Sequence, residues 1–198
     1  MARKYEMTKR AGRQEATRLR IVEATVELHE EIGPARTSIS AIAERAGVER
    51  LTVYRHFATE SDIFQACSAR YDELHPLPDG ATWAGIDDPF ERLAFGLTQL
   101  YRYFAETERM MSAVMRDAPS TASMREPLAN YRQRFRELYA LLVAGFVAKG
   151  IPAERVQLSI RLAIDFSTWQ IMVREQEIDL SAAVDYQIGI VRWAAIGI

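Results

Sequence analysis

Apolar residues recur at a spacing of about 3.6 residues along nearly the whole chain, and no stretch alternates apolar and polar residues as a half-buried strand does. Between Ile39 and Ala46, for example, apolar residues stand at positions i, i+3, i+4 and i+7. This periodicity predicts an all-α protein. Glycine, proline and capping residues divide it into predicted helices of approximately 14–32, 38–46, 49–57, 59–74, 89–105, 107–117, 124–149, 153–176 and 181–197.

The segment from His75 to Pro89 interrupts the helical pattern with three prolines, two glycines and the pair Asp87-Asp88. This composition is typical of a loop or linker. We therefore expect two domains. A small helical domain that begins with a basic arm would occupy residues 1–74, and a larger helical domain would occupy residues 75–198.

Charge is distributed unevenly along the chain. The formal net charge is −2, yet residues 1–20 hold seven lysines and arginines and only two glutamates. A basic end on an otherwise acidic chain indicates contact with a polyanion, whereas a solvated, disordered tail is the alternative. The single cysteine fits a reducing compartment, and the longest apolar run, Leu138–Ala148, is shorter than the roughly 20 residues of a membrane span. We expect a cytoplasmic, nucleoid-associated protein without a secretory signal or a membrane partner.

The predicted helices 38–46 and 49–57 are joined at Gly47 and have the dimensions of a helix-turn-helix. Ala43 is small enough to let the two helices cross closely, and glycine accepts a positive φ in the turn without a Cβ penalty. Val53 and Phe57, four residues apart, would seat the second helix on the core. Together these features predict a helix-turn-helix DNA-binding domain, with an ordinary small bundle as the alternative.

The second helix of this motif carries polar and aromatic residues on the face away from Val53 and Phe57. Arginine offers donors to guanine edges or phosphates, an apolar side chain suits a thymine methyl, and hydroxyls suit phosphate oxygens. Because an α-helix fits the major groove, double-stranded DNA is the predicted partner. The candidate contact residues are Arg50, Leu51, Thr52, Tyr54, Arg55 and His56.

A set of residues in and around this motif is found together in one family of regulators. These residues are Gly33, Thr37-Ser38, Ile42-Ala43, Ala46-Gly47-Val48, Thr52-Val53-Tyr54, His56-Phe57 and Ile63-Phe64. On them, residues 20–64 resemble the DNA-binding domain of the tetracycline-repressor (TetR) family. The resemblance implies a dimeric, ligand-responsive transcriptional regulator, typically a repressor, that binds a near-palindromic operator.

The resemblance also divides the candidate contacts by role. Positions matching base contacts are Arg50, Leu51 and Tyr54, with Arg55 close by, and positions matching phosphate contacts are Thr52, Tyr54 and His56. It adds Ser38 and Ser40, at the start of the preceding helix, as candidate DNA contacts. Glu49 and Glu60 depart from the family pattern, in which a serine cap and a phosphate-binding lysine are common, and their effect on DNA affinity is left open.

The C-terminal helices are apolar on more than one side. The last helix has two apolar stripes, one formed by Val184, Ile188, Val191 and Ala195 and the other by Ile190, Ala194 and Ile198. Such helices are either central in a domain or shared with a partner chain. In TetR-like proteins the last two helices of each subunit form a four-helix bundle between subunits, so the resemblance implies a homodimer through these helices. A purely internal core is the alternative.

Methionine and aromatic residues in the C-terminal domain are candidates for an effector pocket, because such side chains suit adaptable apolar sites. Ordinary core packing is the alternative for each of them. Asp165 could orient a polar effector group, pair with Arg161 or Arg102, or face solvent. The candidate ligand-binding residues are Trp83, Phe104, Met110, Met111, Met115, Phe135, Tyr139, Asp165, Phe166 and Trp169.

No catalytic motif stands out in the sequence. The three histidines do not pair with one another or with the cysteine at metal-ligand spacing, and no phosphate-binding or nucleophile motif is present. We expect no enzyme, no metal and no cofactor. The leading hypothesis is a ligand-responsive dimeric regulator. The alternatives are a DNA-binding protein without small-molecule control and a helical small-molecule-binding protein or enzyme.

Overall fold

The computed structural model of this chain describes residues 2–148 and 153–196, and within these ranges it contains helices and no strand. The predicted all-α class is confirmed. The α-helices are α1 (Ala2–Glu31), α2 (Ile39–Ala46), α3 (Arg50–His56), α4 (Glu60–Leu74), α5 (Ala81–Ala84), α6 (Pro89–Asp117), α7 (Arg125–Ala148), α8 (Ala153–Ala163), α9 (Phe166–Trp169) and α10 (Leu180–Ile196).

The chain forms two compact units. The first comprises the chain up to Pro76 together with Glu108–Ala129, and the second comprises Leu77–Thr107 and the chain from Asn130 onward. Residues 108–129 therefore pack with the helix-turn-helix, although they lie beyond the predicted linker. Which residues form the DNA-binding domain and which form the ligand-binding domain stays a prediction.

In the first unit, α1 packs against both α2 and α4, and α2 packs against α3. The helices are held together by a continuous cluster of buried aliphatic residues and one phenylalanine. Its buried members are Ile21, Val22, Ala24, Leu28, Ile39, Ile42, Ala43, Ala46, Val53, Phe57 and Ile63. These residues follow the spacing of one face on each helix, so burial of apolar surface explains both the helices and their packing.

Local capping sets the boundaries of the helix-turn-helix. The Ser38 hydroxyl accepts a hydrogen bond from the Ala41 amide and begins α2, and Gly47 ends it with φ of 65°. Thr59 and Asp62 form a reciprocal capping box at the start of α4. The predicted short helices on either side of Gly47 are confirmed to within one residue at each end.

The second unit has a core of large apolar and aromatic side chains. Trp83, Tyr101, Phe104 and Trp169 are fully buried in it. Helices α8 and α10 pack against each other within this unit. Trp83 lies on α5, a single turn in the segment that the sequence predicted to be an irregular loop. The predicted loop between α4 and α6 is therefore confirmed except for this one turn, in which the Trp83 ring is buried.

Two predicted helix boundaries in the second half are wrong. The predicted helices 89–105 and 107–117 form the single helix α6. The Thr107 hydroxyl donates to the carbonyl oxygen of Tyr103 at 2.7 Å, so this polar residue is accommodated within the helix. The predicted helix 153–176 is interrupted at Asp165, whose backbone is extended (φ −77°, ψ 135°), and a π-helical segment follows at Gln170–Glu175.

The first helix begins earlier than its predicted start near residue 14, because α1 is helical from Ala2 onward. The predicted basic arm is therefore helical backbone continuous with the helix-turn-helix core, rather than an extended chain. Among the residues that the structure describes, every helix is too short or too polar to cross a bilayer.

Candidate nucleic-acid interface

Helix α3 presents most of its side chains to solvent. Leu51 is 66% exposed and Tyr54 is 46% exposed, whereas Val53 on the opposite face is completely buried. Arg50 and Arg55 are also exposed. This seven-residue helix therefore has one buried side chain and presents a leucine and a tyrosine to solvent beside two arginines.

The turn before α3 and the residue after it fix the orientation of this helix. The Val48 amide donates to the Ala43 carbonyl oxygen at 2.9 Å, and the Phe57 amide donates to the Val53 carbonyl oxygen at 2.9 Å. The Phe57 ring is 2% exposed, and the guanidinium of Arg18 lies 4.9 Å from its centroid. Glu49 occupies the N-cap position without a side-chain hydrogen bond to the helix.

A basic groove lies along one side of α3. Its walls are the early turns of α1, with Arg10, Arg13 and Arg18, and the end of α3, with Arg55 and His56. The Arg55 guanidinium donates to the Thr52 hydroxyl at 2.8 Å. Several exposed guanidinium groups around one groove attract a chain of phosphates, because each neutralised phosphate releases counterions.

A hydroxyl-rich groove lies along the other side of α3. Arg50 and Tyr54 line it together with Ser38, Ser40 and Glu60. The segment between α6 and α7 also contributes, through Ser120, Thr121, Ala122 and Ser123. Seven of the eight candidate DNA contacts thus lie in the two grooves that flank α3, and Leu51 lies exposed on the same helix.

A buried pair of polar residues lies behind this surface. Burial lowers the pKa of His29 to about 4, against an opposing effect of Asp117, so the imidazole is neutral at neutral pH. The Cys67 sulfur lies 3.4 Å from Nδ1 of His29, and burial raises the pKa of this thiol to about 12. In the described part of the chain, no group of three or more potential metal ligands comes together.

The candidate ligand residues fall into separate groups. Met110, Met111 and Met115 belong to the first unit, where Met110 packs with Val26, Cys67 and Tyr71, and Met115 is 40% exposed. The other seven candidates belong to the second unit. The structure therefore does not bring the methionines and the aromatic residues together within either unit.

The aromatic candidates of the second unit centre on Phe104. Its ring lies 5.4 Å from Phe166, 6.0 Å from Trp169 and 6.2 Å from Phe135, measured between centroids. Trp169 is fully buried, and its indole N–H has no hydrogen-bond acceptor among the described residues. A buried donor without an acceptor costs about 1–3 kcal/mol, so this group is a candidate for pairing with another molecule.

Three further candidates have structural partners. The Trp83 indole N–H donates to Gln99 at 2.9 Å, and the Tyr139 hydroxyl donates to the Gln157 carbonyl oxygen at 3.2 Å. Asp165 is exposed and accepts a hydrogen bond from the Ser167 amide at 2.9 Å as the N-cap of α9. Asp165 thus faces solvent, which is one of the alternatives that the sequence left open, and a ligand contact by this residue stays a prediction.

Sequence reasoning missed two parts of this region. It did not single out Arg10, Arg13 and Arg18, because the basic N-terminal stretch has no fixed register until α1 is known to be continuous. It also missed the polar segment after Asp117, which reaches α3 only through tertiary packing. The excess of arginine before residue 20 was the available signal for the first part.

An exposed, basic and hydroxyl-rich helix supported by a preceding helix and a glycine turn defines a helix-turn-helix DNA-binding protein. A family model described as bacterial regulatory proteins, tetR family, matches residues 21–67. The helix-turn-helix domain of this chain therefore belongs to the TetR family of bacterial transcriptional regulators.

Individual relatives agree with this assignment. The chain is 29% identical over 158 residues to an HTH-type transcriptional regulator of Bacillus subtilis, YdeS, covering 77% of this chain and 75% of that protein. It is 40% identical over 63 residues to the regulator TtgR of Pseudomonas putida, covering 32% of this chain and 29% of that protein.

Solved structures share the fold at low sequence identity. The TetR-family regulator PfmR of Thermus thermophilus aligns with a TM-score of 0.62 at 20% identity, covering 90% of this chain and 95% of that one. FadR of Bacillus subtilis, solved in complex with stearoyl-CoA, aligns with a TM-score of 0.59 at 18% identity, covering 91% of this chain and 98% of that one.

Proposed function

We propose that this regulator acts as a homodimeric repressor that binds a near-palindromic operator through α3 and is released by a small, largely apolar effector. The observation that carries the proposal is the surface of α3, where Arg50, Leu51, Tyr54 and Arg55 are exposed while Val53 anchors the helix. Arginine and apolar side chains on one short helix can read base edges in the major groove.

A single α3 helix is too short to select a site alone. Seven residues span about 10 Å, which covers only a few base pairs. Two copies about 34 Å apart would meet successive major grooves on one face of the DNA and read a two-fold symmetric sequence. Dimerisation is therefore part of the proposed mechanism.

The pair of helices α8 and α10 supports a second copy of this chain as the dimer partner. Leu158 and Leu162 on α8 are 62% and 53% exposed, and Tyr186 and Trp193 on α10 are 64% and 60% exposed. A Cβ added to Gly189, on the same helix, would meet no atom within 4 Å. Exposed apolar residues on two packed helices mark an association surface, and a two-fold symmetric contact would bury the same residues on both subunits.

The aromatic group around Phe104 supports an effector site in the second unit. An effector that offers an acceptor to the Trp169 indole N–H would recover the cost of that unpaired donor. FadR, which shares the fold, is a complex with stearoyl-CoA, so long-chain acyl-CoA is the first class of effector to test. A ligand that binds the DNA-free state more tightly releases DNA by linkage.

A DNA-binding protein without small-molecule control is the second candidate. Trp83, Tyr101, Phe104 and Trp169 are all fully buried, and a fully packed aromatic core favours a unit that serves only for assembly. The two candidates differ in one outcome, which is whether any effector changes the affinity for DNA.

Selection of bound duplexes from a random pool tests the DNA-binding part, with the double variant Arg50→Ala/Tyr54→Ala as the control. We expect a two-fold symmetric motif enriched by the intact protein and not by the control. Affinity for this motif should fall steeply between 50 and 200 mM salt. Failure to enrich any motif at low salt would refute the proposal.

Sedimentation and an effector screen test the remaining parts. We expect a dimer at micromolar concentration, and release of the selected duplex by acyl-CoA of one range of chain lengths. If acyl-CoA and a wider panel of apolar compounds leave DNA affinity unchanged, the version without small-molecule control is correct.

A further inference from the structure

The end of α6 is hydrogen-bonded to the backbone between α1 and α2. Asp117 Oδ2 accepts a hydrogen bond from the Ala35 amide at 3.0 Å, across a separation of 82 residues. Arg116 Nε donates to Asp117 Oδ1 at 2.7 Å, and Arg116 Nη2 donates to the Ile32 carbonyl oxygen at 3.3 Å. We call this arrangement of Arg116, Asp117, Ile32 and Ala35 the α6 clasp.

Gly33 makes the clasp sterically feasible. Its φ is 90°, which favours glycine, and a Cβ added there would overlap the Arg116 guanidinium and the Asp117 carboxylate. The glycine is therefore required both by its own backbone conformation and by the approach of the ion pair. The end of α6 and the turn after α1 therefore pack closely against each other at Gly33.

The clasp places a charge in a nearly enclosed site. Asp117 is 6% exposed. The Arg116 hydrogen bond and the Ala35 amide hold the pKa of the Asp117 carboxyl below its usual range, so the carboxylate stays ionised at neutral pH. A buried carboxylate that loses its partners is strongly unfavourable, which ties its position to theirs.

The backbone held by the clasp leads directly into the DNA-binding motif. Ala35 lies in the turn Pro34–Arg36, and Ser38 begins α2 two residues after that turn. The position of α2 in turn sets α3 through Gly47 and the hydrogen bond from Val48 to Ala43. Fixing the Ala35 amide therefore fixes the start of the helix-turn-helix.

We propose that Arg116 and Asp117 are positioning residues for DNA binding, which orient the helix-turn-helix through the Ile32–Ala35 backbone without contacting DNA. This inference rests on the proposed DNA-binding function. Loss of the Asp117 charge should change DNA affinity in the direction opposite to that expected from charge repulsion alone. Neutralising an acid in a DNA-binding unit ordinarily strengthens binding, because repulsion from phosphates is reduced, whereas neutralising Asp117 should weaken it.

The test compares Asp117→Asn with Glu44→Gln, which removes one exposed acid from α2 of the same unit. We expect Asp117→Asn to bind the selected duplex about tenfold more weakly, since a charge-assisted hydrogen bond is lost. We expect Glu44→Gln to bind equally or more tightly. The milder Arg116→Gln should weaken binding in the same direction and covers the case in which Asp117→Asn does not fold.

Salt dependence separates positioning from direct contact. A positioning residue neutralises no phosphate, so the slope of log affinity against log salt concentration should be the same in Asp117→Asn, in Arg116→Gln and in the unaltered protein. A reduced slope in Arg116→Gln would mean that Arg116 contacts DNA, and the inference would be overturned. Binding by Asp117→Asn equal to that of Glu44→Gln would overturn it as well.

Hydrogen exchange gives a readout that does not require DNA. The Ala35 amide and the first turn of α2 should exchange about tenfold faster in Asp117→Asn than in the unaltered protein, while α10 is unchanged. If the unaltered protein binds no duplex, the proposed function fails, and this exchange measurement still decides whether the clasp orders the motif. Unchanged exchange at Ala35 would refute the clasp itself.

Discussion

Val53 is the single buried side chain of α3, so its replacement by alanine should separate the anchoring of this helix from its proposed contact with DNA. An isolated seven-residue helix is unstable in water, because helix nucleation is costly and few hydrogen bonds follow it. Packing of Val53, which is completely buried, therefore supplies much of what keeps α3 in place.

The magnitude follows from the atoms removed. Val53→Ala deletes two methyl groups, which costs about 1.6 kcal/mol in lost transfer free energy. The cavity left behind adds up to about 1 kcal/mol. We expect a total of about 2–3 kcal/mol, and with a urea slope of about 2 kcal/mol per M the unfolding midpoint should fall by about 1 M.

Leu51→Ala is the matched control, because Leu51 lies two residues away on the same helix and is 66% exposed. It should change the free energy of unfolding by less than about 0.5 kcal/mol and still weaken binding to the selected duplex. Urea unfolding followed by far-UV circular dichroism measures the midpoint. Hydrogen exchange of peptides within residues 21–67 assigns the loss to the first unit. Equal destabilisation by both variants, or a loss below about 0.5 kcal/mol for Val53→Ala, would refute the reasoning.

Four further predictions concern other parts of the molecule. Because burial lowers the pKa of His29 from 6.5 to about 4, the unfolded chain takes up this proton at higher pH than the folded protein. Stability should therefore be full above pH 6.5 and fall by up to about 3 kcal/mol towards pH 4, and urea midpoints of His29→Gln should lack this loss. In Arg13→Gln, the slope of log affinity for DNA against log salt concentration should become less steep by about one. Fluorescence anisotropy at several salt concentrations measures this slope, and an unchanged slope would contradict a phosphate contact by Arg13. Trp193→Asp should convert the dimer to a monomer with an unchanged circular dichroism spectrum. A dimer in sedimentation would show that the exposed face of α8 and α10 is not the dimer interface. Glu60→Gln should strengthen binding several-fold at low salt, and weaker binding would show that the carboxylate supports the interface.

The helix-turn-helix could be predicted from the sequence because its signals are local. Ser38, Gly47 and Thr59 each act within three or four residues of their own position, through caps and a left-handed turn. The exposed face of α3 followed from the expected seating of Val53 and Phe57 on the core. Neither inference required knowledge of distant contacts.

The errors arose where tertiary contacts override local patterns. No glycine or proline marks the interruption at Asp165, and its capping carboxylate stands inside an apolar periodic sequence that resembles a continuous helix. The α6 clasp joins residues 82 positions apart, so no window of sequence contains it. The separation of the methionines from the aromatic group likewise depends on how the long helix α6 is divided between the two units.

The continuous helix α1 has a consequence for how the protein would search a genome. An α-helix with its side chains is about 10–12 Å wide, whereas the minor groove of B-DNA is about 6 Å wide. Arg10 and Arg13, which lie on this helix beside α3, would therefore meet the phosphate backbone rather than base edges. Phosphates are alike in every sequence, so these charges would lengthen residence on operator and bulk DNA by the same factor. They would favour sliding along the chromosome over dissociation from it and leave discrimination between sites to the few side chains of α3.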